Sequence, residues 1–295
     1  MAGEMADTTP DRLWLCMADS TRTRTLSRAL AKGMGVTVYL GPTVDPDGPI
    51  AIMVTDDANI ARLAISRENA APNQKTILVT AAAKRSVRAD LYLAHDTDAG
   101  TLANAIEGVS RFRSFEMTTA GRQAPGVVST LKSISFRLQT LDEAADVAMF
   151  LARKMPRQCE SAVGLYVLLA NAIEHGNLDF SPEDKAQGLA GGNWNGKLAQ
   201  RMAEPHYVTR RVSVDCLHGE RMISLLIQDD GEGVDAETAE MANPFRGGYR
   251  GRGVKLARSL GFAELTWLGT GNTLAATIVL APVAEDTLPR RATAQ

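Results

Sequence analysis

Leu168-Leu169-Ala170-Asn171-Ala172-Ile173-Glu174-His175-Gly176-Asn177 reads as an apolar helix that acquires an amide, a carboxylate and an imidazole, then stops at a glycine. At helical spacing Val167, Asn171, Glu174 and Leu178 share one face, while Leu165, Leu168, Leu169, Ala172 and Ile173 form a broad apolar side. A core helix does not need Asn171, and a solvated helix does not need so many apolar neighbours. A buried helix with one satisfied polar residue and a helix that presents ligands to a site both fit this stretch. Residues downstream separate the two.

The whole chain, 295 residues, is long enough for two ordinary domains, each with its own core. Its composition, 45% hydrophobic and 22% charged, is that of a soluble globular protein. A formal net charge of −2 without a polybasic cluster argues against bulk attachment to nucleic acid or to an anionic membrane. Cys16, Cys159 and Cys216 lie far apart, which suits a reducing compartment and supplies neither a disulfide framework nor metal-ligand spacing. Residues 1–11 read as a frayed leader without an apolar signal core, and 284–295 as a flexible tail. A cytoplasmic protein is expected.

The first third alternates short apolar strands (13–17, 36–40, 50–54, 76–80 and 90–94) with helical patterns at 21–32, 57–66 and 100–113, and a weaker one near 83–88. That alternation predicts an α/β domain over 12–114 with a doubly wound parallel sheet, whose functional groups lie at the carboxyl ends of the strands. Those ends carry Asp19 after the first strand, Thr55, Asp56 and Asp57 after the third, Thr80-Ala81 after the fourth, and His95-Asp96 after the fifth. The set resembles the receiver domain of bacterial response regulators, with Asp19, Asp56, Asp57 and Thr80 as the pocket. It departs from that pattern at Ala18, where a second acid is expected, and at His95, where a lysine is. Phosphoryl transfer to aspartate needs a divalent ion held by several carboxylates and a cation on the product. The resemblance therefore implies a receiver-like fold with degraded chemistry.

Residues 115–132, with Thr-Thr-Ala-Gly-Arg-Gln-Ala-Pro-Gly, read as a linker. A half-buried strand follows at 133–139. Thr140-Leu141-Asp142-Glu143 is a capping box that opens a helix over 143–155, and the helix of Asn171 begins near Ser161. Residues 178–204 read as a mobile connection with an amphipathic helix near 195–203. Lys185 in this stretch reads as a surface lysine. Hairpin-like strands at 208–216 with 222–228, and at 263–268 with 273–280, flank a glycine-rich loop and a helix at 253–260. An α+β sandwich over 133–283 is predicted.

Three glycine-marked motifs stand in order: Asn171…Gly176; Asp229-Asp230-Gly231-Glu232-Gly233; and Gly247-Gly248-Tyr249-Arg250-Gly251-Arg252-Gly253-Val254-Lys255. With Thr273 on the closing hairpin, they resemble the N, G1 and G2 boxes of the GHKL ATPases, whose ATP-binding domain is the Bergerat fold. Within that superfamily they look most like the anti-sigma-factor serine kinases. The resemblance implies ATP and Mg²⁺ as ligands, with Asn171 as the metal ligand. Asp229 would read the adenine amine, and Gly231 and Gly233 would pass close to the base. Arg250, Gly251, Arg252, Gly253, Val254 and Lys255 would surround the phosphates, residues 234–252 would form a lid, and Glu174 and His175 would be site neighbours. The implied partner is an anti-anti-sigma-like protein, a sigma factor or a phosphotransfer protein, and a homodimer is compatible.

One position breaks the family pattern. Val167 stands one turn before Asn171, where the serine kinases and hydrolysing relatives carry a general-base glutamate, and valine cannot take a proton. Three readings stay open: a protein kinase acting on a partner, a nucleotide-gated pseudokinase without turnover, and a catalytic domain that phosphorylates histidine on another chain. The helix at 143–155 holds no histidine of its own.

Overall fold

The computed structural model describes residues 12–33, 36–43, 46–81, 87–119, 132–233 and 252–280. The expected leader, the expected tail and most of the expected linker lie outside them.

Trp14, Leu15, Cys16 and Met53 are completely shielded from solvent, so their strands are covered on both faces, as an apolar run in a parallel sheet requires. Arg12–Cys16 (β1), Thr37–Leu40 (β2), Ile50–Asp56 (β3), Ala70–Thr80 (β4) and Leu91–Ala94 (β5) pair in parallel in the order β2-β1-β3-β4-β5. Ser20–Gly33 (α1) and Ala99–Thr119 (α3) cover the face that carries Leu13 and Leu15. A 3₁₀ turn at Asp57–Arg62 and the short helix Leu63–Glu68 (α2) cover the face that carries Trp14 and Cys16.

β4 is longer than the predicted 76–80. Pro72 and Asn73 carry turn chemistry, but the strand uses them as an internal irregularity: Asn73 has φ of +54°, and the register with β3 shifts between Ile50 and Ile52. The helix predicted near 83–88 falls mostly outside the described residues, and 87–90 are not helical.

The second sheet is antiparallel, in the order β6-β7-β8-β10-β9: Ser133–Leu138 (β6), Val212–His218 (β7), Met222–Gln228 (β8), Phe262–Leu268 (β9) and Thr273–Val279 (β10). Val214, Ile223, Leu225, Ile227 and Leu274 point into the core, while Leu217, Met222 and Val279 face outward. Leu141–Ala152 (α4), Gln158–Asn171 (α5) and Arg252–Ser259 (α8) accompany this sheet, and α4 opens with the predicted Thr140–Glu143 capping box.

Two predictions here are corrected. Residues 178–193 are not a loose connection, because Pro182–Gly191 (α6) precedes Trp194–Met202 (α7). Ser181 and Asp184 form a capping box with Pro182 in the first turn, a start signal that the glycines after it obscure. Gly188 is required by packing: a Cβ there would lie 2.6 Å from Cε3 of Trp194. β7 begins at Val212 rather than Val208, since Arg210 is held at a corner by the Asn177 carbonyl (2.8 Å) and the Asp179 carboxylate (3.0 Å).

The sheets do not enclose separate cores. One continuous buried cluster runs from Leu102, Ile106 and Val109 on α3 to Val163, Leu165 and Leu169 on α5. Gly108 permits this approach, because a Cβ on it would lie 3.0 Å from Val163 Cγ1. Polar ties flank the seam: Tyr166 donates its hydroxyl to Glu107 (2.7 Å), and Arg111 pairs with Asp142 (2.7 Å). α3 itself continues through Thr119, beyond the helix predicted over 100–113.

Gly164 lets α5 lie on the ring of Phe262, where a Cβ would come within 2.7 Å of Cε2. Gly164→Val is expected to lower the unfolding free energy by about 1–3 kcal/mol through overpacking. Gly196→Ala on α7, with open space around the new methyl, is expected to raise it by up to about 1 kcal/mol. Urea denaturation of the two variants checks both signs.

Candidate functional site

α5 does not stop at Asn171 but widens into a π-helical turn over Ala172–Asn177. Such turns are rare and concentrate at functional sites. The turn brings Gly176 against the end of β8, where the carboxylate of Asp229 lies so close that a Cβ on Gly176 would sit 2.3 Å from its Cγ. Gly231 closes the same contact from the other side, with a virtual Cβ 2.2 Å from the Gly176 carbonyl oxygen. Its N–H donates to Asp229 Oδ1 (3.0 Å).

The strand end is pinned from both flanks. Asp230 N–H donates to Asn177 Oδ1 (2.8 Å), Asp229 N–H donates to the Asn272 carbonyl (3.0 Å), and Asn272 Nδ2 donates to the Asp229 carbonyl (3.2 Å). Gly233, at φ +85°, passes the Thr270 carbonyl where no side chain fits. Thr273 pairs with Gln228 at the start of β10, and its hydroxyl meets Asn272 Oδ1 (3.3 Å). Asp230 is exposed and accepts from the N–H of Arg211, and Glu232 is exposed.

At the other end of the same helix stretch, α8 opens directly against Asn171. A Cβ on Gly253 would lie 2.1 Å from Asn171 Nδ2 and 2.9 Å from Val167 Cγ1. Val254 is buried and Lys255 half-buried. Arg250, Gly251, the side chain of Arg252 and the lid expected ahead of α8 lie outside the described residues.

Burial pushes the Asp229 carboxyl up to about 6; the Gly231 N–H opposes the shift and the neighbouring Asp230 adds to it. Asp229 is 6% exposed, so this acid stands in a low-dielectric wall with adaptable protonation. Glu174 turns elsewhere. The residue is 1% exposed, and its carboxylate accepts from Lys185 Nζ (2.7 Å) and Trp194 Nε1 (3.2 Å), and so ties α6 and α7 to the π turn. Lys185, read from sequence as a surface lysine, is an inward half of this ion pair; burial lowers its pKa, and Glu174, then Glu107, outweigh that and raise it. His175 Nδ1 meets the Phe180 carbonyl (2.6 Å).

A small cavity, with room for about one water molecule, adjoins Asn171. Val167, Asn171 and Lys185 line it, as sequence order allows, but so do Asn104 and Glu107 from α3. Nothing in the sequence marks the last two as site residues, because only the docking of the first sheet's helix brings them there. A second small cavity lies between β6 and α4 at Ile134, Phe150 and Met155, and holds none of the motif residues.

The acidic ends of the parallel sheet are occupied locally. Asp19 caps α1 through the N–H groups of Thr21 and Arg22. Asp56 accepts from Ala18 N–H (2.6 Å) and from Asn59, and Asp57 accepts from the Thr80 hydroxyl (2.7 Å) and Ala81 N–H (3.1 Å). Arg22 of α1 brings a cation to this end and donates to the His95 carbonyl (3.0 Å). Among the described residues, no group of three or more His, Cys, Asp or Glu side chains is arranged to hold a metal, and no helix is long and apolar enough to cross a membrane. A scan of protein-family models and a search of curated proteins find nothing that matches the chain.

An unfolded aspartate titrates near 3.9 (roughly), below the folded value of about 6 for Asp229. Between those values the unfolded chain releases a proton that the folded chain keeps, so stability falls as pH rises through this window. Asp229→Asn is expected to be more stable than wild type above pH ~6, and the two to converge below pH ~4, read by denaturant unfolding.

Proposed function

We propose that the cleft between the π turn, the end of β8 and the start of α8 binds an adenine nucleoside triphosphate with Mg²⁺. On this reading the chain is a GHKL-type regulator that acts on a partner protein in the manner of an anti-sigma-factor kinase. The observation that carries it is the double closure on one helix: Gly176 against Asp229 and Gly253 against Asn171. The two contacts lie five positions apart on the helix, one at each end of the π turn.

Each end suits one part of the ligand. The ionised Asp229 carboxylate accepts an exocyclic amine, and a guanine carbonyl in its place would leave a buried acid unpaired, so adenine is preferred. The first turn of α8 offers free N–H groups and the positive end of a helix dipole to phosphates, with Lys255 beside them. The residues fit a magnesium ion held chiefly by phosphates and water, because Asn171 supplies one neutral oxygen ligand. When bound, that ion neutralises triphosphate charge.

A second reading rests on Val167, buried at 3% and in contact with Gly253. Without a base on α5, transfer to a hydroxyl loses a factor of about 10²–10⁴, which favours a nucleotide-gated binding module. The parallel-sheet unit is proposed as a pseudo-receiver, since Asp19, Asp56 and Asp57 are committed to backbone, hydroxyl and Asn59 amide donors.

Asp229→Asn is expected to abolish adenine-nucleotide binding in calorimetry, whereas Asp230→Asn leaves it near wild type. Equal effects would overturn the assignment of Asp229 to the base.

A further inference from the structure

The cavity beside Asn171 is walled by two units of the chain. Val167, Asn171 and Tyr166 come from α5, Lys185 from α6, and Asn104 and Glu107 from α3. It is small, with room for about one water molecule, the size an attacking water requires. Gly253, which opens α8, touches both Val167 and Asn171, so the helix end offered to phosphates adjoins this cavity. Among the residues that line it, Glu107 is the one carboxylate.

Glu107 is held in place without being used up. Its Oε1 accepts the Tyr166 hydroxyl (2.7 Å) and lies 3.4 Å from Arg111 Nε, while Oε2 has no hydrogen-bond partner among the described residues. Its side chain is 29% exposed, open to an incoming group. Tyr166 is buried in the α3–α5 seam, so the carboxylate is positioned by the same contact that docks the two units.

We propose that Glu107 supplies the proton-accepting group that α5 lacks at Val167, so that the parallel-sheet unit completes the site of the antiparallel-sheet unit. This rests on the nucleotide reading above. In the step, a water or alcohol oxygen attacks the terminal phosphorus of the nucleoside triphosphate and its proton passes to Glu107 Oε2. The bond from that phosphorus to the bridging oxygen breaks, and the electron pair leaves with the diphosphate. The products are nucleoside diphosphate, a phosphorylated alcohol or inorganic phosphate, and one proton on Glu107.

The test uses the full chain with Mg²⁺. Glu107→Gln, which keeps an oxygen for Tyr166, is expected to lower release of ADP from ATP by about 10²–10⁴. In calorimetry the same variant removes a negative charge beside the terminal phosphate. It is therefore expected to bind a non-hydrolysable ATP analogue about three- to tenfold more tightly while its ADP affinity is unchanged. Adding Val167→Glu to Glu107→Gln returns a carboxylate to the cavity and should restore part of the turnover. Val167→Glu alone, which puts a second carboxylate into the same cavity, should weaken the analogue relative to ADP severalfold, a readout that does not require Glu107→Gln to fold.

Turnover unchanged in Glu107→Gln, a wild type that binds ATP but releases no ADP, or parallel shifts in analogue and ADP affinity would each overturn the proposal while leaving the nucleotide site standing. A wild type that binds neither nucleotide would remove both.

Discussion

The carboxylate of Asp229 lies against the α-carbon of Gly176, and much of the second sheet's geometry follows from that contact. Any other residue at 176 would displace this carboxylate, since its Cβ would fall 2.3 Å from the carboxylate carbon. The π turn delivers Gly176 to this point, and Asn177 and Asn272 fix the end of β8 on either side of it. A buried acid with a pKa near 6 is a cost to folding above that pH, and an apolar residue of similar size would pack here without it. An adenine amine is one partner that would offset the cost.

Packing of α3 on α5 is the second constraint. The seam is chiefly apolar, through Gly108 and Val163, and its exposed pair Arg111–Asp142 contributes little to stability. Because Asn104 and Glu107 stand on the same helix that covers the parallel sheet, a displacement of α3 moves one wall of the cavity at Asn171. The two units therefore share a core and a cavity.

Much of this was legible from residue patterns. The alternation of short apolar strands with helices over 12–114 indicates a parallel sheet, and the apolar–polar alternation at 133–139 indicates a half-buried strand, as β1–β5 and β6 show. The glycines around Asp229 and Asn171 marked positions where backbone and side chain meet. What escaped was set by long-range contact. Gly188 and Gly191 hid α6, because the need of a Trp194 ring for a glycine is not local information. Lys185 looked like a surface residue until Glu174 faced inward. Glu107 carried no signal at all, since its role at the cavity depends on a helix docked from another sheet.

Calorimetric titration of the full chain with ATP and with GTP, each with and without Mg²⁺, tests the central claim most directly. Saturable binding of ATP, strengthened by Mg²⁺ and absent for GTP, is expected if Asp229 reads the base and Asn171 meets the metal. Equal binding of both nucleotides, or binding of neither, would contradict it.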